Sequence, residues 1–504
     1  MKKILTISLL AVTMMAQGQE FWPQKGAVEV CVDTKLRMTF SEPVERGTSG
    51  MIRVIDCETG AVVDSIDISI PDGPTESRTY GPECDYMKTP YDYARLTMPT
   101  NRTVKPGTPS GEAEPTPPEY QLNIIGGFTD AFHFRPFVVK GSEAVITLHN
   151  NMLDYGRTYM VTMDRSVIAA KKFKGVKAKD GWTFTTKKSE PLADTLRVNA
   201  DGTADFATVQ GALDFIPDFS AKKTVVLIAA GDYEEIVYAR NKTNVEIAGE
   251  GMERTKVHYA NNEVFNPHPL TVKTNEWPGT FPSRRAAFML DNCHDILIRD
   301  ICVATDLVGQ AEGLLLNGER IALLRVHIIG SGDALQANGT VYMQDCELDG
   351  GGDTILGRGA LFAKRCNFRN GGGPFTWVRN TKGTHGDVFV ECTFSCPDGR
   401  QCDYGRTPSN KGTDYPFAEI VVINCRTRNL APSGWGVIGE PTATMLEFNT
   451  IDLATGKAAD TSRRAPYSRQ LDANRDAALI KCYSTPAFVL KGWSPQTTQT
   501  SKPN

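Results

Sequence analysis

Three polar side chains recur at near-constant spacing in the second half of this 504-residue chain. Gln310 lies in VGQAEGL, Asp333 stands 23 residues later in GSGDAL, and Asp353 follows 20 residues after that in GGGDTIL. If each interval is one turn of a repeating coil, the three form a column, because paired strands lie about 4.8 Å apart. Two carboxylates at that separation cannot both ionise cheaply, so one keeps its proton near neutral pH while the other stays anionic. An acid and a base or nucleophile on one face are equipment for acyl transfer. The glycines around them, Gly330, Gly332 and Gly350 to Gly352, leave room for a polymer to approach. An aspartate in a glycine-rich turn also has a purely local explanation, since it hydrogen-bonds nearby backbone. The column therefore depends on the coil that would build it.

Other chemistries find less support. No G-x-S-x-G nucleophile elbow is present, which disfavours a serine hydrolase of that type. No C-x-x-C or H-E-x-x-H pattern occurs and the seven histidines are scattered, which disfavours zinc. A net charge of −4 gives no electrostatic reason for a nucleic-acid partner. A neutral or acidic polymer stays open.

The elements that must position these residues are short. From residue 191 to about 495, β-rich runs recur every 20 to 33 residues, among them AAFMLDNCHDILIRDICV (286–303), GERIALLRVHIIGSGDAL (318–335) and GTVYMQDCELDGGGDTIL (339–356). GALFAKRCNFRNGGG (359–373), GDVFVECTFSC (386–396) and AEIVVINCRTRN (418–429) continue the series. Such a period predicts a solenoid, and the short β-branched runs predict strands rather than helices. Cys346, Cys366, Cys392 and Cys425 hold equivalent places and are expected to stack inward as small apolar side chains. Cys396 and Cys402, and Cys57 and Cys84, are spaced to allow disulfides if the chain is exported.

Export is what the first residues suggest. Lys2 and Lys3 precede an apolar stretch from Ile4 to Met15, too short to span a bilayer, and Ala16 and Gly18 are small residues placed for cleavage, the pattern of a signal peptide over 1–18. Localisation in the periplasm or outside the cell follows as an expectation. Residues 19–190 alternate apolar and polar positions, with strands expected at Lys35–Phe40, Met51–Ile55, Ala144–Leu148 and Thr158–Met163. The stretch 104–120 is Pro-rich and expected to be a surface loop. TFSEPV, GRTYMVTM and GWTFTTK resemble bacterial immunoglobulin-like domains, which implies a β-sandwich acting as a spacer or a wall beside the site.

Residues 191–504 resemble the pectin methylesterase family. VNADGTADFATVQGALDFIP (198–217) is similar to the family opening, GDYEE (231–235) to its G-x-Y-x-E motif, and NVEIAGEGMERTKV (244–257) to the strand and turn that follow. VGQAEGL, GDAL and GDTILG resemble the segment of the oxyanion glutamine, Q-D-T-L and D-F-I-F-G; YGRTP (404–408), SGWG (433–436) and LKGWSP (490–495) fit the rest. The resemblance implies an all-β chain, a right-handed parallel β-helix after the immunoglobulin-like sandwich. It implies Asp353 as nucleophile, Asp333 as general acid and then base, Arg406 as partner of Asp353, and Gln310 as oxyanion donor. Trp435 and Arg379 are the implied substrate-binding residues. The implied partner is methyl-esterified galacturonan, bound by a monomer with no metal or organic cofactor, no nucleic acid and no membrane span.

The chain departs from the family where substrate would lie. Gly332 replaces the glutamine of Q-D-T-L, Thr407, Pro408 and Ser409 follow Arg406 where G-R-P-W has its tryptophan, and D-F-I-F-G has become Asp353-Thr354-Ile355-Leu356-Gly357. Losing one oxyanion donor costs on the order of 10²–10³ in rate unless something replaces it. Deacetylation of pectin on the same scaffold, and a β-helix that binds acidic polysaccharide with little turnover, therefore stand as alternative readings. The motif order does not resemble a pectin lyase or a polygalacturonase.

Overall fold

From Thr195 onward, short β-branched runs separated by corner residues wind into stacked coils. The structure, a computed structural model, describes residues 19–73, 120–127, 132–192, 194–266, 284–409, 414–439 and 442–495. In this region 23 strands form one continuous sheet. Every strand pairing in it is parallel except Ile451–Asp452 with Lys457–Ala458. This is a parallel β-helix. One face is laid down rung by rung as Val237–Arg240, the start of Phe288–Thr305, the start of Leu314–Ile329, Leu335–Gln344, Ile355–Gly357, Gly373–Val378 and Cys402–Arg406. Two further faces close each coil, and alternate side chains fill the interior.

The cysteine ladder forms as the repeat predicts. Cys346, Cys366, Cys392 and Cys425 are fully buried in the core, continuing a column begun by Ile301 and Val326. Each is preceded by a corner residue at positive φ: Asp345 at 53°, Arg365 at 52°, Glu391 at 58° and Asn424 at 54°. That conformation is uncommon outside glycine. It recurs here because one left-handed residue turns the chain between faces while its side chain points outward. Outside, corner residues pair between coils, with Arg325 Nε on Asp300 at 2.6 Å and Arg365 Nε on Asp345 at 2.8 Å. Cys396 and Cys402, spaced to bridge, are instead two buried free thiols.

The first coil of the stack is covered. Helix Val209–Phe215 closes the first coil with Val209, Ala212 and Leu213 in the core. Its N-terminal N–H groups are all spoken for. Thr208 Oγ1 accepts from Gly211 N, Glu235 accepts from Val209 N and Gln210 N at 2.9 Å, and Asp33 accepts from Ala207 N and Thr208 N. The glutamate of the G-x-Y-x-E motif is thus a cap. Asp33 comes from the preceding region. There two sheets, Glu20–Trp22/Leu36–Thr39/Glu143–Ile146/Phe137–Lys140 and Ala27–Val30/Thr183–Thr186/Thr158–Met163/Met51–Asp56/Val62–Asp67, share one core with Leu36, Val54, Tyr159, Trp182 and Phe184. The strands expected near 35–40, 51–55, 144–148 and 158–163 are present at Leu36–Thr39, Met51–Asp56, Glu143–Ile146 and Thr158–Met163. This region also packs Phe132 against Tyr238, with ring centroids 4.5 Å apart, and lays Arg135 over Phe265 at 3.8 Å. The expected signal segment, residues 104–119 of the Pro-rich stretch, and Cys84 lie outside the described residues. No helix among the described residues is long and apolar enough to cross a membrane.

Candidate active site

Asp333 and Asp353 each sit two residues before a core strand position, and those positions, Leu335 and Ile355, are register partners. The coils are joined at this edge by Ala334 N and Leu335 N, both donating to Thr354 O at 2.9 and 3.0 Å. The two acids therefore stand on adjacent rungs, as their spacing predicts. Continuing the register back one coil, Leu335 pairs with Leu314. The residue two before it is Glu312, so the carboxylate column is Glu312–Asp333–Asp353. Gln310, expected in that column, lies two residues upstream. The sequence interval matched a coil length, but the corner absorbed the difference.

Cations are interleaved with this column. Arg406, on the strand Cys402–Arg406, grips Asp353 with both prongs, Nε to Oδ1 at 2.7 Å and Nη2 to Oδ2 at 2.5 Å. The bidentate geometry fixes the carboxylate plane. Arg285, just ahead of the strand Phe288–Thr305, is nearly buried and serves four acceptors. Its Nη2 reaches Asp333 Oδ2 at 2.8 Å and Glu312 Oε1 at 2.7 Å, and its Nη1 reaches Glu263 Oε2 at 2.9 Å and Gln310 Oε1 at 2.7 Å. Burial pushes the Asp333 carboxyl up to about 7; Arg285 opposes this, while Glu312 and Asp353 reinforce it. Burial thus favours the protonated form of Asp333, while Arg406 holds Asp353 through two hydrogen bonds. The two carboxyls are differentiated by their partners.

Arg379 begins the next turn along this face, its N–H donating to Gly357 O at 3.0 Å. Its guanidinium lies 4.5 Å from the centroid of Trp377, and that of Arg406 lies 4.7 Å from the same ring. Burial, and the like charge of Arg358, push Arg379 down to about 10, while Asp333 and Asp353 pull it up. Its Nε has no hydrogen-bond partner among the described residues. Gly332 adopts φ of 82° and its carbonyl accepts from Gly351 N and Gly352 N. A side chain at this left-handed position would be strained, which accounts for glycine where the family has glutamine.

Trp435 corrects an expectation. It is 3% exposed in the β-helix core, its ring centroid 5.2 Å from that of Tyr404, and it offers no face to a sugar. Trp377, half-buried at the site, is the aromatic the sequence did not single out. Arg285, Glu312 and Glu263 were missed as well. The one signal in the sequence was a pair of arginines, Arg284 and Arg285, opening an apolar strand. Among the described residues no group of three or more His, Cys, Asp or Glu side chains is placed to hold a metal. A cavity of about 390 Å³ lies between the sandwich and the first coils, lined by Asp33, Lys35, Tyr155, Gln210 and Glu235 among others. It contains none of the column's acids.

The pectinesterase family model matches residues 195–466, more than half of the chain and the whole coil region that carries these residues. The chain belongs to the pectinesterase family. It is 25% identical over 308 residues to probable pectinesterase 8 of Arabidopsis thaliana, an alignment covering 58% of this chain and 76% of that protein. It is 25% identical over 289 residues to pectinesterase 31 of the same plant, covering 55% and 87%. Among solved structures, pectin methylesterase from carrot aligns over 60% of this chain and 95% of its own, with 20% identity and a TM-score of 0.47. In this family member the two acids and Arg406 hold the family's motif positions. Arg285 stands outside every motif described above, whereas Glu312 lies within VGQAEGL, two residues after Gln310.

Proposed function

We propose that this protein removes methyl esters from galacturonate units of pectin through Asp353 and Asp333. The observation that carries the reading is the differentiated pair on adjacent rungs: Asp353, gripped by both prongs of Arg406, beside the buried Asp333, whose carboxyl burial pushes up to about 7. An Asp353 oxygen attacks the ester carbonyl carbon, and the developing oxyanion accepts a hydrogen bond from Gln310 Nε2. Asp333 gives its proton to the methoxy oxygen, so the C–O bond breaks and methanol leaves. The resulting anhydride between Asp353 and the uronate is then attacked by water, whose proton Asp333, now a carboxylate, takes up. Cleavage at the uronate carbonyl frees the Asp353 carboxylate and a galacturonate. Arg379, buried and without an ion-pair partner among the described residues, adds positive charge where the polyanionic chain would lie. The protein is further proposed to work in the periplasm or outside the cell after cleavage behind Gly18, supported by the basic and apolar start of the sequence; N-terminal sequencing of the protein recovered from those fractions tests this.

The direct test is methanol and acetate release from highly esterified pectin by the full chain and by Asp353→Asn. Methanol from the wild type, lost in the variant, is expected. Acetate without methanol would move the activity to deacetylation. Binding without either product would make the protein a polysaccharide-binding β-helix.

A further inference from the structure

We propose that Arg285 is the positioning residue of this site, holding Gln310 with its amide N–H2 toward the cleft and Asp333 on its rung, with Glu312 as the buried anion that balances it. The inference rests on the reading of Asp333 and Gln310 as acid and oxyanion donor.

The geometry selects one orientation of Gln310. A guanidinium has donors and no acceptor, so the atom 2.7 Å from Arg285 Nη1 must be the amide oxygen. Gln310 is exposed, and with its oxygen turned inward its two N–H donors face solvent. A surface glutamine would otherwise sample both amide orientations and several rotamers. Fixing it recovers preorganisation that a site with one glutamine fewer has lost, since an oxyanion donor is effective in proportion to how little it must reorganise. The same guanidinium takes both oxygens of Glu312 through Nε, at 2.9 and 2.8 Å. Glu312 is fully buried, so this pair anchors Arg285 to the coil rather than to the surface. Glu263 is the fourth partner, and its backbone N–H donates to Gln310 O at 2.9 Å, tying the backbone of the same glutamine.

The charges around Asp333 make the proposal testable. Facing it are Arg285, Glu312, Asp353 and Arg379, with Arg406 also within electrostatic reach and Glu263 on the far side of Arg285. Glu312→Gln removes an anion and keeps the side chain's shape, so Asp333 should release its proton more easily. Arg285→Met removes the cation, so Asp333 should hold it more tightly. Because the acid must be protonated in the first step, the alkaline limb of kcat/KM should move down in Glu312→Gln and up in Arg285→Met, each by on the order of one pH unit. Arg285→Met should also lower kcat by on the order of 10²-fold with little change in KM, the pattern of a lost oxyanion donor. Arg285→Lys restores the charge without the fork and should return the limb while leaving kcat low.

The experiment is the pH dependence of methanol release by these full-length variants, with NMR titration of the Asp333 carboxyl in wild type and Glu312→Gln. Opposite limb shifts, together with a lowered Asp333 titration in Glu312→Gln, are the expected result. An Asp333 titration unmoved by Glu312→Gln, or limbs that stay in place while only thermal stability falls, would overturn the proposal, even if Arg285→Met does not fold. A wild type that releases no methanol would sink the esterase reading, and the NMR titration, extended to Arg285→Lys, would still decide whether Arg285 and Glu312 govern Asp333.

Discussion

Two columns run along this β-helix, one inside and one outside, and the same repeat sets the spacing of both. Inside, Ile301, Val326, Cys346, Cys366, Cys392 and Cys425 stack in the core. Outside, Glu312, Asp333 and Asp353 stack at the site. Stacking places like next to like. For apolar side chains this is favourable at every rung, and the column needs no outside help. For carboxylates it is costly, and the chain offsets the cost by inserting Arg285 and Arg406 between and beside the rungs. One acid is left partly uncompensated. The inner column is therefore made by the repeat alone, whereas the outer one is made by residues that break it. Function resides where the repeat is interrupted by a charge of opposite sign.

That contrast can be broken from the outside first. Asp353→Asn removes the proposed nucleophile and should lower methanol release by about 10⁴-fold or more, with folding intact by circular dichroism; comparable turnover in the variant would end the two-aspartate mechanism. Arg406→Lys keeps a charge but loses one of two charge-assisted hydrogen bonds, about 1.5–3 kcal/mol. Single-turnover rates should fall about 10–100-fold. The uncompensated acid sets the pH response. Burial raises Asp333 to about 7, so its protonated form, needed first, is lost above that pH, and kcat/KM should decline about tenfold per unit on the alkaline side. A profile flat to pH 9 would mean that Asp333 is not the acid.

The inner column should respond in stability alone. Cys392→Ser places a hydroxyl in the apolar ladder and should cost about 1–3 kcal/mol, seen as a fall of a few degrees in Tm, with activity per folded molecule unchanged. A loss of turnover without a loss of stability would mean that the two columns are coupled through the coil.

The sequence alone determined much of this protein. Repeated β-branched runs with a cysteine at a fixed place specify a solenoid, because each run can bury one face only by stacking on its neighbour. The glycine-flanked aspartates one coil apart were legible because residues at equal repeat positions must land on adjacent rungs, whereas Arg406 in YGRTP was legible only through the family resemblance. What it left to the tertiary structure were distances measured across coils rather than along the chain. Gln310 was placed in the column and Glu312 was not, since a corner loop can take up two residues without altering the repeat length. Trp435 turns inward against Tyr404 from a loop whose path the repeat does not set, whereas Trp377 lies on the strand Gly373–Val378 between the buried Thr376 and Val378 and so faces outward at the site. Arg285 carries no motif, yet its long side chain meets Glu263, Gln310, Glu312 and Asp333, from three different segments of the chain. Local spacing encodes which rung a residue occupies; only the folded coil decides which long side chains reach across it.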